Sequence, residues 1–153
     1  MSIETTITHN ILDYLNSMSR VIVEKVKGTA ESAGRADLNG CYHGTSFRIE
    51  VKTPDNKNKP SKAQLLNLWK SHKAGAITMV VYSLEAVQWA FNEWDNTNGK
   101  PYHNETITVK NNCISLITFP NKQRSFKYFY KHYYKDWDDD IQNKAMGTSD
   151  SRS

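Results

Sequence analysis

A nearly continuous apolar run at residues 76–82 (A-I-T-M-V-V-Y) lies between two segments that carry helical periodicity. Apolar runs of this length without alternation are typical of strands that are buried within a sheet. The segments on either side, residues 61–73 and 85–94, are predicted to be helices. We therefore expect a mixed α/β (α+β) domain, in which helices flank a central sheet of mixed strand direction.

The rest of the chain divides into short segments of helical or alternating periodicity. We predict helices at residues 3–18, 61–73, 85–94 and 124–134, and strands at 20–27, 36–42, 45–53, 76–82, 106–109 and 113–119. The order αβββαβ is followed by αββα, and 153 residues suit a single domain. We divide it into a core at residues 1–95, a hairpin-and-helix extension at 96–137, and an acidic, polar tail at 138–153 that we expect to be disordered.

Charge is unevenly distributed along the chain. The 20 Lys and Arg residues outnumber the 16 Asp and Glu residues, and residues 136–153 hold five of the acidic and two of the basic ones. Residues 1–135 therefore carry 18 basic and 11 acidic side chains, which is a net charge of +7. Such a surface favours an anionic partner, most commonly nucleic acid, although charge alone fits a role in solubility equally well.

Several classes of protein are not indicated by the sequence. No run of about eighteen apolar residues is present, and the acidic N-terminus lacks the apolar stretch of a secretory signal. Cys41 and Cys113 are too few for a disulfide framework and do not show the spacing of zinc ligands. We therefore expect a soluble, cytoplasmic protein with no membrane partner.

Two neighbouring predicted strands carry polar side chains at alternate positions: Arg35, Asp37 and Asn39 on the first, and Arg48, Glu50 and Lys52 on the second. Alternation places each set on one face of its strand. If the strands form a hairpin that turns at His43-Gly44, Asp37 lies opposite Glu50 and Arg35 lies opposite Lys52. Because like charges at opposed positions destabilise a sheet, these pairs indicate a functional constraint.

A divalent cation between Asp37 and Glu50 would remove the repulsion between them. Mg²⁺ favours one or two carboxylates, retained water molecules and phosphate oxygens as ligands. In a hydrolase it neutralises charge on the phosphate and lowers the pKa of a bound water. Lys52 shares the face of Glu50 and could orient that water, so the pattern suits phosphodiester hydrolysis. The alternative is a surface hairpin whose charged face is simply solvated.

The order of these residues resembles the PD-(D/E)xK nuclease superfamily. The matching segments are Gly34-Arg35-Ala36-Asp37, then Glu50-Val51-Lys52 after twelve residues, then Ser61-Lys62-Ala63-Gln64, and Ala74-Gly75-Ala76 before an apolar strand. The chain is most similar, over residues 1–83, to the virus-type replication-repair (VRR-NUC) branch, which is related to Holliday-junction resolvases and common in phages. Ala36 stands where the family usually has Pro. The resemblance implies a restriction-endonuclease-like αβββαβ core.

The resemblance also implies a metal centre and a catalytic residue. It implies that Mg²⁺, for which Mn²⁺ would substitute, is bound by Asp37, Glu50 and the main-chain carbonyl of Val51. It further implies that Lys52 acts at the nucleophile.

Two further residues have both a functional and a structural interpretation. A Gln at the position of Gln64 faces the catalytic pocket in the resembling family, yet Ser61-x-x-Gln64 is also a capping box. Family members often carry an acidic residue of the first helix near the metal, for which Glu4 is the candidate. A Glu at this position also suits the dipole of the helix.

Candidate DNA contacts are the basic side chains near the constellation and on the last predicted helix. They are Arg35, Arg48, Lys62 and an i, i+4 row formed by Lys127, Lys131 and Lys135. Such a row can follow phosphates, and neighbouring aromatic rings can stack on bases. The alternative is a packed amphipathic helix with a solvated lysine face.

These observations and the resemblance predict a Mg²⁺-dependent DNA endonuclease. The family implies branched, flap or junction DNA of phage replication, recombination or repair as the substrate class. One metal centre per chain cuts one strand, so symmetric cleavage of a junction would require a homodimer. Two other functions stay open: a catalytically silent nuclease-fold protein that binds DNA or counters host defence, and an interaction domain whose acidic hairpin patch binds a basic partner.

Overall fold

The computed structural model describes residues 3–26, 34–54, 59–101, 105–110 and 113–135, with the backbone alone described at 105–110. The described residues form ten elements in this order: α1 (Ile3–Ser17), β1 (Val21–Lys25), β2 (Leu38–Tyr42), β3 (Thr45–Val51), α2 (Lys62–Lys73), β4 (Ile77–Val81), α3 (Leu84–Asn96), β5 (Glu105–Lys110), β6 (Cys113–Thr118) and α4 (Phe126–Lys131). The predicted order of helices and strands is confirmed. The predicted disordered tail at 138–153 lies outside the described residues.

The six strands form one sheet of mixed direction in the order β1-β2-β3-β4-β6-β5. β3 and β4 are paired in parallel and are connected by the crossover helix α2. The other neighbouring strands are antiparallel. The mixed α/β fold class is therefore confirmed. The apolar run at residues 76–82 contains β4. This strand is buried along its whole length, because it lies between β3 and β6 and has helices on both faces.

The β2–β3 hairpin turns at His43-Gly44, as the sequence predicts. Both residues have positive φ, 49° and 86°, which is the combination that a two-residue type I′ turn requires. Tyr42 pairs with Thr45, and the ladder continues to the pair Leu38–Ile49. This register determines which side chains meet at the other end of the hairpin, where the charged residues lie.

Helices cover both faces of the sheet and divide the core into two clusters. α1 and α3 pack on one face, where Ile11, Leu15 and Phe91 contact the apolar side of β3. α2 and α4 pack on the other face, where Leu65 and Phe129 belong to the second cluster. Full burial of each such side chain stabilises the fold by about 1.5–3 kcal/mol. β3 therefore lies between two packed layers.

The last helix is shorter than predicted. α4 spans six residues from the N-cap Ser125 and ends at Lys131, rather than continuing to residue 134. The chain leaves the helix because the Tyr133 hydroxyl donates to the Ile114 carbonyl and the Tyr134 hydroxyl donates to the Pro60 carbonyl. Lys135 therefore lies beyond the helix, and the predicted row of three lysines is wrong: two of them lie on α4.

Candidate active site

Asp37 and Glu50 lie side by side at the end of the β2–β3 ladder. Asp37 is one residue beyond the last pair, Leu38–Ile49, in line with Glu50. The Glu50 side chain is hydrogen-bonded to that of Asp37. Asp37 Oδ2 also accepts a hydrogen bond from the main-chain N–H of Val51, at 2.8 Å. The structure thus brings together the two carboxylates that the hairpin register predicts to be opposed, and it anchors one of them on β3.

Glu50 is a buried carboxyl group with an incomplete set of partners. Its side chain is 1% exposed, and Oε2 has no hydrogen-bond partner within the part of the chain that the structure describes. Burial raises the pKa of Glu50 to about 10, and the hydrogen bond to Asp37 and the charge of that residue act in the same direction. The carboxyl is therefore protonated at neutral pH unless a cation compensates its charge.

Burial of Glu50 argues against two of the alternatives raised by the sequence. A solvated charged hairpin, or an acidic patch that binds a basic partner, requires carboxylates that are accessible at the surface. At 1% exposure, Glu50 does not provide such a surface. A desolvated carboxyl beside a second carboxyl is instead a frequent feature of functional sites, because burial there perturbs pKa values.

Lys52 places a cation beside this pair. Its Nζ lies 3.8 Å from Glu50 Oε1, and its side chain is 13% exposed. The main-chain N–H of Lys52 donates to the Val81 carbonyl, so β4 holds the backbone at this position. Lys52 lowers the pKa of Glu50 but does not offset burial. The ammonium is therefore placed beside the carboxyl pair from the same strand.

Arg35 and Lys52 do not form an opposed pair in the β2–β3 ladder, so this prediction is wrong. Pairing between β2 and β3 ends at Leu38–Ile49, and Arg35 lies before the strand with an exposed side chain. Its neighbour Ala36 packs with Leu65 and Leu68 under α2 instead of continuing the alternation of β2. Contacts with α2 thus replace strand pairing before residue 37.

The donor set of the pair fits a divalent cation. Glu50 Oε2 is a buried oxygen without a partner in the described chain, and the Asp37 carboxylate lies against the Glu50 carboxyl. Two carboxylates with water and phosphate oxygens are a set that Mg²⁺ favours. When bound, such an ion would supply charge neutralisation at the phosphate and activation of water. Asp37 and Glu50 would hold it.

Glu4 does not complete a third carboxylate ligand. Among the residues that the structure describes, no three His, Cys, Asp or Glu side chains form a group that could hold a metal ion. Glu4 lies on the first turn of α1, close enough for its charge to raise the pKa of Glu50 slightly. Glu4 therefore contributes to the electrostatic field of the site rather than to a cluster of three acids.

Gln64 forms the capping box at the start of α2. Its Oε1 accepts a hydrogen bond from the Ser61 main-chain N–H at 2.8 Å, and the main-chain N–H of Gln64 donates to Ser61 Oγ at 3.1 Å. Gly34, three residues before Asp37, approaches the same turn, because a Cβ on Gly34 would lie 3.2 Å from the Cβ of Ala63. The start of α2 is thus adjacent to the segment that leads to Asp37, with the Gln64 side chain engaged in capping.

The predicted DNA contacts are dispersed over the surface. Arg48 lies two residues before Glu50 on β3, is half-buried, and donates from Nη1 to the Phe47 carbonyl. Lys62 begins α2, with Nζ 5.7 Å from the centre of the Tyr134 ring. Arg35, Lys127, Lys131 and Lys135 are exposed. Of these residues, Arg48 is the one on the same strand as Glu50.

Three features of the site were not predicted from the sequence. They are the hydrogen bond from Val51 to Asp37, a buried Asn39 Oδ1 without a partner in the described chain, and the exposed side chain of Ile22. The alternation of β2 places Asn39 on the face of Asp37, which was a usable signal. The hydrogen bond from Val51 to Asp37 and the exposure of Ile22 depend on the order of the strands and on the position of α2.

Comparison with known proteins finds no relative: no protein-family model, no curated protein and no solved structure matches this chain. The likeness to PD-(D/E)xK nucleases therefore depends on the residues themselves. Within the described ranges, no helix has the length and apolar character needed to cross a membrane.

Proposed function

We propose that this protein is a metal-dependent DNA endonuclease that hydrolyses phosphodiester bonds. The observation that carries the proposal is the buried Glu50 carboxyl, which has one oxygen without a partner in the described chain and lies against Asp37 with Lys52 Nζ 3.8 Å away. A fold gains nothing from such a pair, since a buried carboxyl without compensation is destabilising. A divalent cation and a phosphate are the partners that this arrangement suits.

Each residue has a distinct part in the proposed reaction. The hydrogen bond from Val51 orients Asp37, and β3 presents Glu50 to the same point. Lys52 orients the attacking water and stabilises negative charge that develops on the phosphate. Burial removes the Glu50 carboxyl from water, which strengthens its electrostatic interactions. Gln64 stays a proposed contact to the substrate at the start of α2.

DNA is the proposed substrate, and a branched, flapped or junction form of it is the proposed substrate class. The net charge of +7 over residues 1–135 supports attraction to a polyanion. The resemblance to phage nucleases extends the proposal to replication, recombination or repair in the cytoplasm of a host cell. A homodimer would supply the second centre for symmetric cleavage of both strands.

A second candidate is a catalytically silent protein with a nuclease-like fold that binds DNA or counters host defence. It is favoured by the lack of a third acidic ligand among the described residues, and by the use of one Asp37 oxygen in a hydrogen bond to the main chain. The two candidates share DNA binding and differ in metal dependence and in turnover.

Cleavage of a panel of labelled DNAs with and without Mg²⁺ or Mn²⁺ tests the proposal. The panel contains duplex, single-stranded, flap and four-way DNA. We expect metal-dependent cleavage that is abolished in Asp37→Ala and in Glu50→Ala. Glu85→Ala is the matched control, because Glu85 is an exposed carboxylate on α3, on the opposite face of the sheet. Full cleavage by Glu50→Ala would remove the mechanism, and metal-independent binding without cleavage would favour the silent candidate.

A further inference from the structure

An open part of the sheet lies beside the carboxyl pair. β1 is an edge strand, and its residues Ile22 and Glu24 pair with Cys41 and Asn39 of β2. On β3 the same rows continue to Ser46 and Arg48. Because paired residues share a face and strand side chains alternate, both rows lie on the face of Asp37 and Glu50. Among the described elements, α2 packs over β4 and β3 on this face and leaves the rows on β1 and β2 uncovered.

This open face contains a groove of about 410 Å³. Its lining includes Ile22, Glu24, Asn39, Ser46 and Arg48. The volume lies in the range of about 300–1,000 Å³ that is typical of sites for small ligands. Arg48 also lines a second groove, of about 420 Å³, which runs under the end of α2. The guanidinium therefore lies between two concave surfaces next to the candidate active site.

Three side chains of the groove offer surface or polar atoms that a ligand could contact. Ile22 is 72% exposed and therefore offers an apolar surface to a ligand. Asn39 Oδ1 is buried and has no hydrogen-bond partner among the described residues. Arg48 donates to its neighbouring carbonyl and forms no ion pair within the described ranges. An apolar surface, an amide and a guanidinium thus converge at one place.

These three chemistries match the parts of one nucleotide. A guanidinium binds phosphate in a fork geometry, an amide hydrogen-bonds to the edge of a base, and an apolar side chain packs on the face of a base. Two residues of strand separate Arg48 from Glu50, which corresponds to about 7 Å along β3. A DNA backbone that continues along this strand from the phosphate at Glu50 therefore meets Arg48 next.

We propose that the groove receives one unpaired nucleotide of the substrate, adjacent to the phosphate that is cut. Arg48 holds the neighbouring phosphate, while Ile22 and Asn39 contact the base. A base that is paired and stacked in a duplex exposes its edges but not its face, so contact with Ile22 requires an unpaired base. This inference rests on the proposed nuclease function and narrows its substrate to DNA with a single-stranded segment at the cut.

Binding of labelled DNA in metal-free buffer with EDTA tests the groove independently of cleavage. The probes are a single-stranded oligonucleotide and the duplex that contains the same sequence. We expect the wild type to bind the single strand more tightly than the duplex. In the double variant Ile22→Ser/Asn39→Ser, the ratio of the two affinities should fall about five-fold, since packing on one base face and one hydrogen bond are lost.

Arg48 is tested by the salt dependence of binding. Arg48→Ala should weaken binding of the single strand about ten-fold at low salt, and the slope of log affinity against log salt should decrease by about 0.7, the value for one phosphate contact on a single strand. Arg48→Lys retains the charge and should restore the slope, although not the full affinity, because the fork geometry is lost.

Matched controls are residues that do not line the groove. Ile3→Ser removes a second exposed apolar side chain, 64% exposed on α1, and Lys100→Ala removes an exposed cation that follows α3. Neither should change the ratio of affinities or the salt slope. The proposal is overturned if the wild type binds duplex as tightly as single strand, or if the groove variants keep the wild-type ratio.

The outcome is distinguishable from failure of the nuclease proposal. Hydrolysis of bis(4-nitrophenyl) phosphate by the wild type with Mg²⁺ or Mn²⁺ reports on the catalytic centre without any base to bind. Absence of this activity, with the expected binding ratios intact, would remove the nuclease and leave a groove that binds single-stranded DNA. Activity with unchanged ratios in the variants would retain the nuclease and remove the groove.

Discussion

Replacing Glu50 by glutamine should stabilise the metal-free protein while abolishing its proposed activity. In the folded state the pKa of Glu50 is raised to about 10 from 4.5, first by burial and then by Asp37. Between these two values the folded protein holds a proton that the unfolded chain has released. Since the folded state binds more protons, the free energy of unfolding falls as pH rises through this window.

The size of the effect follows from the difference in proton binding. One proton corresponds to a slope of about −1.4 kcal/mol per pH unit, so the wild type should lose up to about 4 kcal/mol between about pH 5.5 and about pH 8.5. The glutamine side chain of Glu50→Gln has no ionisable group, and its amide N–H can donate to Asp37 in place of the carboxyl proton. Between about pH 5.5 and about pH 8.5, the stability of this variant relative to the wild type should therefore increase by up to about 4 kcal/mol.

Urea denaturation in EDTA, followed by tryptophan fluorescence at several pH values, measures this difference. The comparison between wild type and variant cancels titration of the other groups, and Glu85→Gln controls for loss of an exposed carboxylate. Saturating Mg²⁺ should stabilise the wild type near pH 7.5 and have little effect on Glu50→Gln, because binding to the folded state alone shifts the equilibrium. A stability difference that does not change with pH would refute the reasoning, since Glu50 would then titrate as an exposed carboxyl.

Four further variants test other parts of the structure. Lys52→Ala should slow DNA cleavage at least about 100-fold while binding in EDTA stays within about three-fold, and retained cleavage would contradict the role of its ammonium. Gln64→Ala and Ser61→Ala each remove half of the capping box and should each lower the free energy of unfolding by about 1 kcal/mol. A slower cleavage by Gln64→Ala than by Ser61→Ala would then measure the contact of Gln64 with substrate, and equal rates would limit Gln64 to capping. Gly40→Ala should destabilise the protein by about 1–3 kcal/mol or more in denaturation experiments, because a Cβ there would overlap the Ile22 carbonyl oxygen and the Phe47 ring. Wild-type stability of Gly40→Ala would contradict a close approach of the Ile22 carbonyl and the Phe47 ring to residue 40.

Much of the fold follows from local pattern. The described helices and strands occur in the predicted order, since period and turn residues are local properties of the chain. The hairpin register follows from His43-Gly44, a pair that accepts the two positive φ values of a tight turn. That register brings Asp37 and Glu50 to neighbouring positions, so the central pair of the candidate site was predictable.

Predictions were less accurate where a segment depends on distant contacts. α4 ends early because the hydroxyls of Tyr133 and Tyr134 donate hydrogen bonds to the carbonyls of Ile114 and Pro60, respectively. Both carbonyls are remote in sequence. Ala36 leaves the alternation of β2 because it packs under α2. Neither contact is encoded in the periodicity of the segment that it alters.

For this chain, the order of elements and the opposition of two acidic residues were evident in the amino acids alone, because alternation and turn chemistry act over a few residues. Within the described part of the chain, the burial of Glu50, its oxygen without a partner and the uncovered face beside Arg48 were decided by how the helices pack on the sheet. Desolvation depends on neighbours that are far apart in the chain. The pattern of residues therefore indicates the chemistry of the candidate site, and the packing supplies the electrostatic environment in which that chemistry could operate.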